Sequence, residues 1–204
     1  MNTIFTQTQL YTFLLYCDDE RLEKTVLDCG AGGRRPPLAI FKDKGFETYG
    51  IDISQKQIEF AKEFEEKEQI ELNITEGNML ELPFEDESMS YIYSYNSIFH
   101  MCKEEIGQAV SEIKRVLKKD GLAFINFPTV DDWRARVGER VREGEYLQEE
   151  FGEKILHSYF KIDEAEIYFN DVKIIYKEVR KRNGYMRNGR LITRGFVDYI
   201  IQKL

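Results

Sequence analysis

The sequence has little of what disulfide frameworks and metal centres are usually made from. Its 204 residues include two histidines and three cysteines, Cys17, Cys29 and Cys102. The cysteines are odd in number and form no Cys-x-x-Cys pair, which argues against a disulfide framework. No Cys or His spacing typical of a metal site is present either. We therefore expect a fold that depends on an apolar core and has no metal centre.

The chain also lacks a long apolar run and an excess of basic residues. No run approaches the roughly 20 apolar residues of a membrane-spanning helix, and residues 1–20 contain neither a basic leader nor a small-residue cleavage site. The net charge of -8 disfavours a nucleic-acid partner. We expect the one basic cluster to be a solvated hairpin; it consists of Arg180, Lys181, Arg182, Arg187, Arg190 and Arg194. These features predict a cytoplasmic protein without a nucleic-acid or membrane partner.

What the chain does contain, up to Phe127, is an alternation of helix and strand patterns. Helical patterns are found at residues 6–18, after "RRPP", after Ser54 in a capping box with Gln57, and at residues 103–118. Five apolar runs between them have the character of strands, namely "KTVLDCG", "FETYGID", "IELNIT", "MSYIYS" and "LAFINF". Such alternation predicts an α/β fold with a mostly parallel sheet and helices on both faces.

The pattern changes after Pro128. Residues 129–160 are charged, punctuated by glycine and interspersed with aromatic residues, and "DEAEIYF" follows as a short helix. Two apolar runs, "VKIIYKEV" and "GFVDYIIQKL", then flank two Asn-Gly pairs, which are strong turn signals. We therefore expect a C-terminal antiparallel hairpin that brings the sheet to seven strands. Residues 1–204 are predicted to form a single domain, with residues 129–160 as an insertion.

A glycine-rich turn joins the first predicted strand to the following helix in "VLDCGAGGRRPP", residues 26–37. Asp52 ends the next predicted strand 22 positions after Gly30, close to the roughly 20 expected for an acid that holds ribose hydroxyls. This arrangement predicts a nucleotide-type ligand. By itself it does not distinguish NAD from S-adenosylmethionine.

Three details favour a ligand with an amino-acid end over a pyrophosphate. The dinucleotide pattern G-x-G-x-x-G requires glycine where this chain has Arg35. Asp28 stands two residues before Gly30, and its carboxylate would accept hydrogen bonds from an ammonium group but repel a pyrophosphate. The predicted hairpin adds an antiparallel edge that the dinucleotide fold does not require. The turn is therefore predicted to hold the amino-acid end of S-adenosylmethionine.

Four stretches in order, "VLDCGAGG", "TYGIDIS", "EGNMLELPFEDES" and "EIKRVLKKDGLAFI", resemble the class I S-adenosylmethionine-dependent methyltransferases. Within that class, the resemblance is to the small-molecule group that includes the quinone-biosynthesis-like enzymes, and it covers residues 25–127. It implies a Rossmann-like fold, S-adenosylmethionine as cofactor and a small-molecule methyl acceptor. The cofactor residues that it implies are Asp28, Gly30 and Gly32 at the methionine part, Asp52 at the ribose, Ile53 on the adenine, and Asn78 and Met79 at the adenine edge.

Two positions depart from the pattern of that family. Arg34 stands where the family usually has a third glycine, and Asn78 stands where it usually has aspartate. The Asn78 side-chain oxygen can still accept a hydrogen bond from an adenine amine, although a plain turn residue is the alternative. Arg34 either reaches the cofactor carboxylate or points to solvent. Ile53 is expected to be buried whether or not it contacts adenine.

The segment "YSYNSIFHM", residues 93–101, leaves the fourth predicted strand at the edge where α/β sheets bind ligands. In the family this segment lines the place where cofactor and acceptor meet. Tyr95 is predicted to contact the cofactor, and Tyr11 to close over it, with plain packing as the alternative for both. His100 is the candidate catalytic base, with a structural histidine under the following helix as the alternative. His157 is expected to be an ordinary loop residue.

Methyl transfer from a sulfonium is a direct displacement, so a base is needed only when the acceptor must lose a proton. Residues 129–160 follow the fifth predicted strand at the same edge of the sheet. They are predicted to form a mobile lid over the acceptor, with few buried apolar contacts. Two other functions stay open at this point: a non-catalytic protein that binds S-adenosylmethionine, and a nicotinamide-dependent reductase.

Overall fold

The computed structural model describes residues 3–150 and 152–204. The helices are α1 (Thr8–Tyr16), α2 (Leu38–Asp43), α3 (Gln55–Glu68) and α4 (Lys103–Val116), with a short 3₁₀ helix at Glu164–Tyr168. The strands are β1 (Thr25–Cys29), β2 (Glu47–Asp52), β3 (Ile74–Glu76), β4 (Met89–Ser94), β5 (Leu117–Pro128), β6 (Glu139–Arg142), β7 (Glu145–Glu150), β8 (Glu153–Ser158), β9 (Val172–Tyr185) and β10 (Leu191–Lys203).

Seven strands form the main sheet, in the order β3-β2-β1-β4-β5-β10-β9. The first five run parallel to one another, whereas β10 is antiparallel to both β5 and β9. The chain order reverses between β1 and β4, and such a reversal opens a crevice at the carboxyl ends of the strands. The predicted fold, a mostly parallel seven-stranded sheet with a C-terminal antiparallel hairpin, is confirmed.

Two apolar layers cover the two faces of this sheet. Helices α1, α2 and α3 bury Leu10, Phe41 and Ile58 on one face, and α4 buries Ile106 and Val110 on the other. All six residues of β4 are buried, as expected for a central parallel strand that is covered on both sides. Helices therefore lie on both faces, as predicted. Within the described residues, no helix combines the length and the apolarity that crossing a membrane would need.

The sequence signals that predicted the ends of α3 and β3 are only partly confirmed. Ser54 is the residue that precedes α3, but its side chain makes no capping hydrogen bond. Instead, Asp52 accepts the Ser54 amide at 2.9 Å, and a carboxylate is the stronger acceptor. The predicted capping box is therefore absent. Strand β3 is shorter than "IELNIT" suggested, since Asn73 just before it has a φ of 57°, a left-handed conformation that does not continue a strand.

The insertion, residues 129–160, forms a separate antiparallel sheet of three strands in the order β6-β7-β8. Its two ends meet where they join the main sheet. The Phe160 amide donates to the Pro128 carbonyl at 2.9 Å, and the Val130 amide donates to the Phe160 carbonyl at 3.0 Å. The insertion therefore leaves the main sheet after Pro128 and returns to it at Phe160, beside the point where it left.

The expectation that the insertion has few buried contacts is wrong for its second half. Gln148, His157, Tyr159 and Phe160 are all buried, and Phe160 belongs to the apolar core. In contrast, all four residues of β6 are exposed. The buried residues of β7 and β8 are Glu145, Gln148, His157 and Ser158, so these two strands are partly covered whereas β6 is not. The predicted lid role and the single-domain organisation stay predictions.

The C-terminal hairpin consists of β9 and β10. Only one of the two Asn-Gly pairs makes its turn, where Gly189 has a φ of 80° and the Asn188 side chain accepts the Arg190 amide at 3.1 Å. Asn183 lies inside β9, where its side chain accepts the Thr193 hydroxyl at 2.9 Å. The expectation that the basic cluster is solvated is wrong at Arg180, which pairs with the buried carboxylate of Asp198.

Candidate cofactor and acceptor site

The glycine-rich turn after β1 is held tightly against its neighbours. The Gly30 amide donates to the Ile51 carbonyl, and the Gly33 amide donates to the Gln57 carbonyl, both at 2.9 Å. Gly30 has a φ of 106°, which favours glycine. A Cβ at Gly30 would lie 2.0 Å from the Ser97 hydroxyl oxygen. The turn therefore admits no side chain at this position.

Asp52 ties the glycine-rich turn to the end of β2. Its Oδ2 accepts the Gly32 amide and its Oδ1 accepts the Ser54 amide, each at 2.9 Å. A carboxylate offers about four lone-pair directions, so both oxygens can still accept a ribose hydroxyl. The structure thus gives Asp52 a role in shaping the turn beside its predicted ribose role, which stays a prediction.

Asp28 is a buried carboxylate at the end of β1. It is 2% exposed. Burial raises the pKa of Asp28 to about 8, the adjacent Tyr93 hydroxyl opposes that shift, and the charge of Asp52 adds to it. A ligand ammonium beside Asp28 would supply the positive charge that favours the ionised carboxylate. Together with the close approach at Gly30, this buried acid fits the amino-acid end of S-adenosylmethionine.

The residues predicted to meet the adenine lie around the end of β2. Ile53 is 72% exposed, so the expectation that it is buried is wrong, because strand β2 ends at Asp52 and the described residues leave most of the next side chain uncovered. An exposed isoleucine at this edge offers an apolar surface to a flat ring. The Gly77 amide donates to the Asp52 carbonyl at 3.1 Å, which brings the following loop close. Met79 in that loop packs partly against the apolar core.

The two departures from the family pattern both have local partners. The guanidinium of Arg34 lies 3.7 Å from the centre of the Phe60 ring and 3.4 Å from the Glu63 carboxylate, on the exposed side of α3. Arg34 thus lies on the surface, which agrees with the alternative that its side chain points to solvent. The Asn78 side-chain oxygen accepts the Leu80 amide at 2.9 Å, which is a local turn. Its second lone pair leaves the adenine prediction open.

The two predicted tyrosines differ in their surroundings. The Tyr95 hydroxyl donates to Gln9 Oε1 at 3.3 Å, so this half-buried side chain joins α1 to the segment that leaves β4. Tyr11 is on the same helix and is 42% exposed. Cofactor contact by either side chain stays a prediction.

The segment that leaves β4 is fixed by a pair of asparagines. The Asn96 amide donates to Asn126 Oδ1 and the Asn126 side-chain amide donates to Asn96 Oδ1, both at 2.8 Å. Asn96 has a φ of 55°. A left-handed non-glycine residue is a strained conformation that is maintained when the surroundings determine it, and such residues concentrate at functional sites. The asparagine pair thereby sets the direction of residues 97–101.

A cavity of about 310 Å³ lies between this segment, the insertion and β10. Its lining residues are Asn96, Phe99, His100, Pro128, Asp132, Trp133, Arg134, Glu150, His157, Tyr159, Arg194 and Phe196. The His100 ring is exposed to this cavity, 4.6 Å from the Phe99 ring and 4.7 Å from the His157 ring. It therefore lines a cavity rather than packing under α4. Desolvation lowers the pKa of His100, and Arg134 adds to this, while Glu150 and Asp52 oppose it.

His157 is not the ordinary loop residue that the sequence suggested. It lies in β8 and is 2% exposed. Burial lowers the pKa of His157 to about 4, with contributions from His100 and Arg134 and opposition from Glu150. Sequence reasoning also missed Arg134, Glu150 and Gln148 as neighbours of this ring. The pairing of β7 with β8 brings Gln148 and Glu150 to this ring, and Arg134 reaches it through its contacts with these two residues. No motif in the sequence signals this arrangement.

Solved structures with the same fold define the class to which this architecture belongs. A protein of Pyrococcus horikoshii superposes with a TM-score of 0.75 at 20% identity, covering 100% of this chain and 93% of its own. A structure described as a SAM-dependent methyltransferase of Methanosarcina mazei gives a TM-score of 0.71 at 22% identity, covering 98% of each chain. The fold is therefore that of the class I methyltransferases.

The sequence of the first half carries the family assignment. Residues 27–125 match the family described as a methyltransferase domain. A sterol 24-C-methyltransferase of Gibberella zeae is 33% identical over 99 residues, which cover 48% of this chain and 26% of that protein. The match thus spans about a quarter of that relative. The family match and the fold confirm the resemblance to the class I S-adenosylmethionine-dependent methyltransferases seen in the motifs, while the narrower likeness to the quinone-biosynthesis-like group stays a prediction.

Proposed function

We propose that this protein transfers a methyl group from S-adenosylmethionine to a small molecule held in the cavity beside His100. The observation that carries the proposal is the short segment between the two sites. Ser97 presses against Gly30 of the glycine-rich turn, and its carbonyl accepts the His100 amide at 3.0 Å. Because His100 lines the cavity, one turn of backbone separates the cofactor residues from the space for an acceptor.

The residues around the glycine-rich turn hold and orient the cofactor in this proposal. Asp28 accepts hydrogen bonds from its ammonium group, Asp52 accepts them from the ribose hydroxyls, and Ile53 packs on the adenine. When bound, S-adenosylmethionine supplies a methyl group activated by the positively charged sulfur. The protein then has to align the acceptor and exclude water. Trp133, Tyr159 and Phe196 provide apolar walls for that purpose.

The lining of the cavity indicates the chemical class of the acceptor. Half of its twelve residues are acidic, basic or histidine, so the cavity suits a polar molecule better than the large apolar skeleton named for the sterol relative. Arg194 is exposed at the cavity and can pair with an anionic group. Trp133 can lie against a flat ring. We propose a small acceptor that combines a planar apolar part with an anionic group.

His100, which the sequence predicts as the candidate catalytic base, remains the candidate base in this proposal. His100 lies in the cavity and can contact the acceptor directly. Desolvation lowers its pKa, so the ring is neutral at neutral pH and has a lone pair available to a proton or to another acidic centre. Its role as a base stays a prediction.

Two measurements test the proposal. Isothermal titration should show binding of S-adenosylhomocysteine and no binding of NADH at the same concentration, whereas tight NADH binding would favour the reductase alternative. Mass spectrometry should then detect a methylated product when planar anionic acceptors are incubated with the protein and S-adenosylmethionine. Cofactor binding without any product across such a panel would favour the non-catalytic alternative.

A further inference from the structure

Three side chains from two parts of the chain converge at the cavity wall. The ligand atoms of His100, Glu150 and His157 all lie within 4.8 Å of one another. His100 comes from the segment after β4, Glu150 ends β7 and His157 lies in β8. Each offers one nitrogen or oxygen of the kind that divalent metal ions take as a ligand.

The hydrogen bonds around Gln148 determine which nitrogen of His157 carries the proton. The Gln148 side-chain amide donates to the Arg134 carbonyl at 2.8 Å and to the Val137 carbonyl at 3.1 Å. These bonds orient Gln148 Oε1 toward His157 Nδ1, at 2.8 Å, and toward the Tyr159 hydroxyl, at 3.1 Å. An amide oxygen only accepts, so Nδ1 of His157 must be the donor.

This tautomer leaves the other nitrogen of His157 with a free lone pair in the cluster. Nε2 of His157 lies 3.6 Å from Oε2 of Glu150. When the His157 ring is neutral, Nε2 and Oε2 are both hydrogen-bond acceptors with no proton between them. A cation or a hydrogen-bond donor placed between the two atoms would stabilise this arrangement.

The carboxylate of Glu150 is also held in place by a neighbour. Arg134 donates to Oε1 of Glu150, and its backbone amide donates to Asp132 Oδ1 at 2.9 Å. Oε2 is left to face the two histidines. Outer partners of this kind, a carbonyl group behind the histidine and a donor behind the carboxylate, are typical of metal sites because they orient the ligands. The charge of Arg134 weakens the attraction for a cation, so we expect binding that is selective but only moderately tight.

We propose that His100, Glu150 and His157 bind one divalent transition-metal ion in the wall of the acceptor cavity. Two imidazoles and a carboxylate suit Zn²⁺, Fe²⁺ or Mn²⁺ and leave coordination positions open. At bond lengths of about 2.1 Å, tetrahedral ligand atoms lie roughly 3.4 Å apart. A contraction of up to about 1.4 Å is therefore needed, and His100, whose ring is exposed, is the side chain free to make it.

A role for this ion in methyl transfer rests on the proposed function, whereas binding of the ion to the three side chains does not. An ion with open positions beside the acceptor can take a hydroxyl or carboxylate of that molecule as a further ligand, and it lowers the pKa of a hydroxyl that it holds. His100 then acts as a ligand rather than as a base. The sequence prediction of no metal centre is revised by this proposal, since the three ligands share no local spacing.

The test uses the full chain, produced without a histidine tag and treated with a chelator before titration with Zn²⁺ and with Mn²⁺. Calorimetry should show one equivalent of Zn²⁺ bound per chain. A long-range proton–nitrogen NMR spectrum should contain the signals of two histidine rings, both shifted at the nitrogen that binds the ion. Substitution of Cys102→Ser, at the half-exposed cysteine, should leave this binding unchanged.

Single substitutions distinguish Zn²⁺ binding at the proposed site from unspecific Zn²⁺ binding elsewhere on the protein. His100→Ala, at an exposed ring, and Glu150→Gln should each abolish stoichiometric Zn²⁺ binding. Gln148→Met should weaken it by 10- to 100-fold, as expected when an outer partner of a ligand is lost. Glu149→Gln, next to the site but exposed on β7, is the matched control and should bind Zn²⁺ normally. Circular dichroism reports that each variant is folded, and binding of S-adenosylhomocysteine, measured on the same samples, tests the proposed function separately.

Two outcomes would overturn the metal site. One is the failure of Zn²⁺ and of Mn²⁺ to bind stoichiometrically to the folded chain. The other is binding that persists in both His100→Ala and Glu150→Gln, which would place the ion elsewhere. Neither outcome bears on methyl transfer, because cofactor binding and product formation are read independently.

Discussion

The cofactor half of this protein, residues 27–127, and the insertion, residues 129–160, are built in different ways. In the first, each candidate site residue stands at the end of a parallel strand or in the turn that follows it, as Asp28 and Asp52 do. In the second, buried polar residues such as Gln148 and His157 are brought together by antiparallel pairing between β7 and β8. Local motifs therefore encode the cofactor half, whereas strand register encodes the chemistry of the insertion.

The largest effect is expected from removing most of the insertion. Replacing residues 132–155 by a short Gly/Ser linker takes away the cavity wall, so methyl transfer should be lost. It also removes Asp132 and Glu145, which accept the amides of Gly195 and Lys103 at 3.1 and 2.7 Å. The melting temperature should therefore fall by several degrees. The affinity for S-adenosylhomocysteine should stay within about threefold, because the glycine-rich turn is untouched.

Calorimetry and thermal unfolding check both parts of this expectation. Replacing only residues 139–143, which are exposed, serves as the control and should leave the melting temperature nearly unchanged. A folded deletion variant that loses more than tenfold in cofactor affinity would show that the two halves are not separable.

The second largest effect is expected from substituting Asp28, the buried acid of the cofactor half. Asp28→Asn should weaken binding of S-adenosylhomocysteine by about a hundredfold, since a buried ammonium would lose its charged partner. In the native protein the pKa of Asp28 is about 8, against 3.8 for an ordinary aspartate. The folded state therefore binds the extra proton between these values, and stability falls as the pH rises from about 4 to 8.

This pH dependence gives two measurable signs. The melting temperature of Asp28→Asn relative to the natural protein should be higher at pH 8 than at pH 5, because the asparagine cannot ionise. Cofactor affinity of the natural protein should increase up to about tenfold per pH unit between pH 6 and 7.5, as binding releases the Asp28 proton. The variant should show no such slope; a slope equal to that of the natural protein would assign the proton to another group.

A smaller effect is expected at the end of β2. Asp52→Ala should weaken cofactor binding at least tenfold, in line with a loss of about 1.5 to 3 kcal/mol for hydrogen bonds to a charged group. It should also lower stability, because the amides of Gly32 and Ser54 lose their acceptor. Glu76→Gln, at the end of the neighbouring strand β3, is the matched control and should bind normally. Unchanged affinity in a folded Asp52→Ala protein would refute the ribose role.

The smallest effect should come from one exposed cation of the cavity. Arg194→Gln should raise the KM for an anionic acceptor three- to tenfold and leave the Kd for S-adenosylhomocysteine unchanged, because a partly solvated ion pair contributes little. Arg187→Gln, an exposed arginine of the same basic cluster that does not line the cavity, serves as the control. Equal KM values for both variants would contradict an acceptor anion at Arg194.

The sequence alone determined the main sheet and the position of the glycine-rich turn. Apolar runs of strand length alternating with helical periodicity leave few topologies, because parallel strands need helical crossovers on both faces. The spacing between Gly30 and Asp52 indicated a nucleotide-type ligand for the same reason, since both lie at carboxyl ends of adjacent strands. These features are local in the chain, so a pattern can report them.

Only the tertiary structure decided the surroundings of Asp52, Ile53 and His157. Asp52 was expected to hold a ribose, which stays a prediction, and in the structure it accepts two backbone amides; Ile53 was expected to be buried and is exposed. His157 became a neighbour of His100 and Glu150 because the register between β7 and β8 and the return of Phe160 to Pro128 place it there. A change of register by one residue would turn His157 to the opposite face. Such contacts depend on the free energy of packing distant segments together, which no short stretch of the sequence contains.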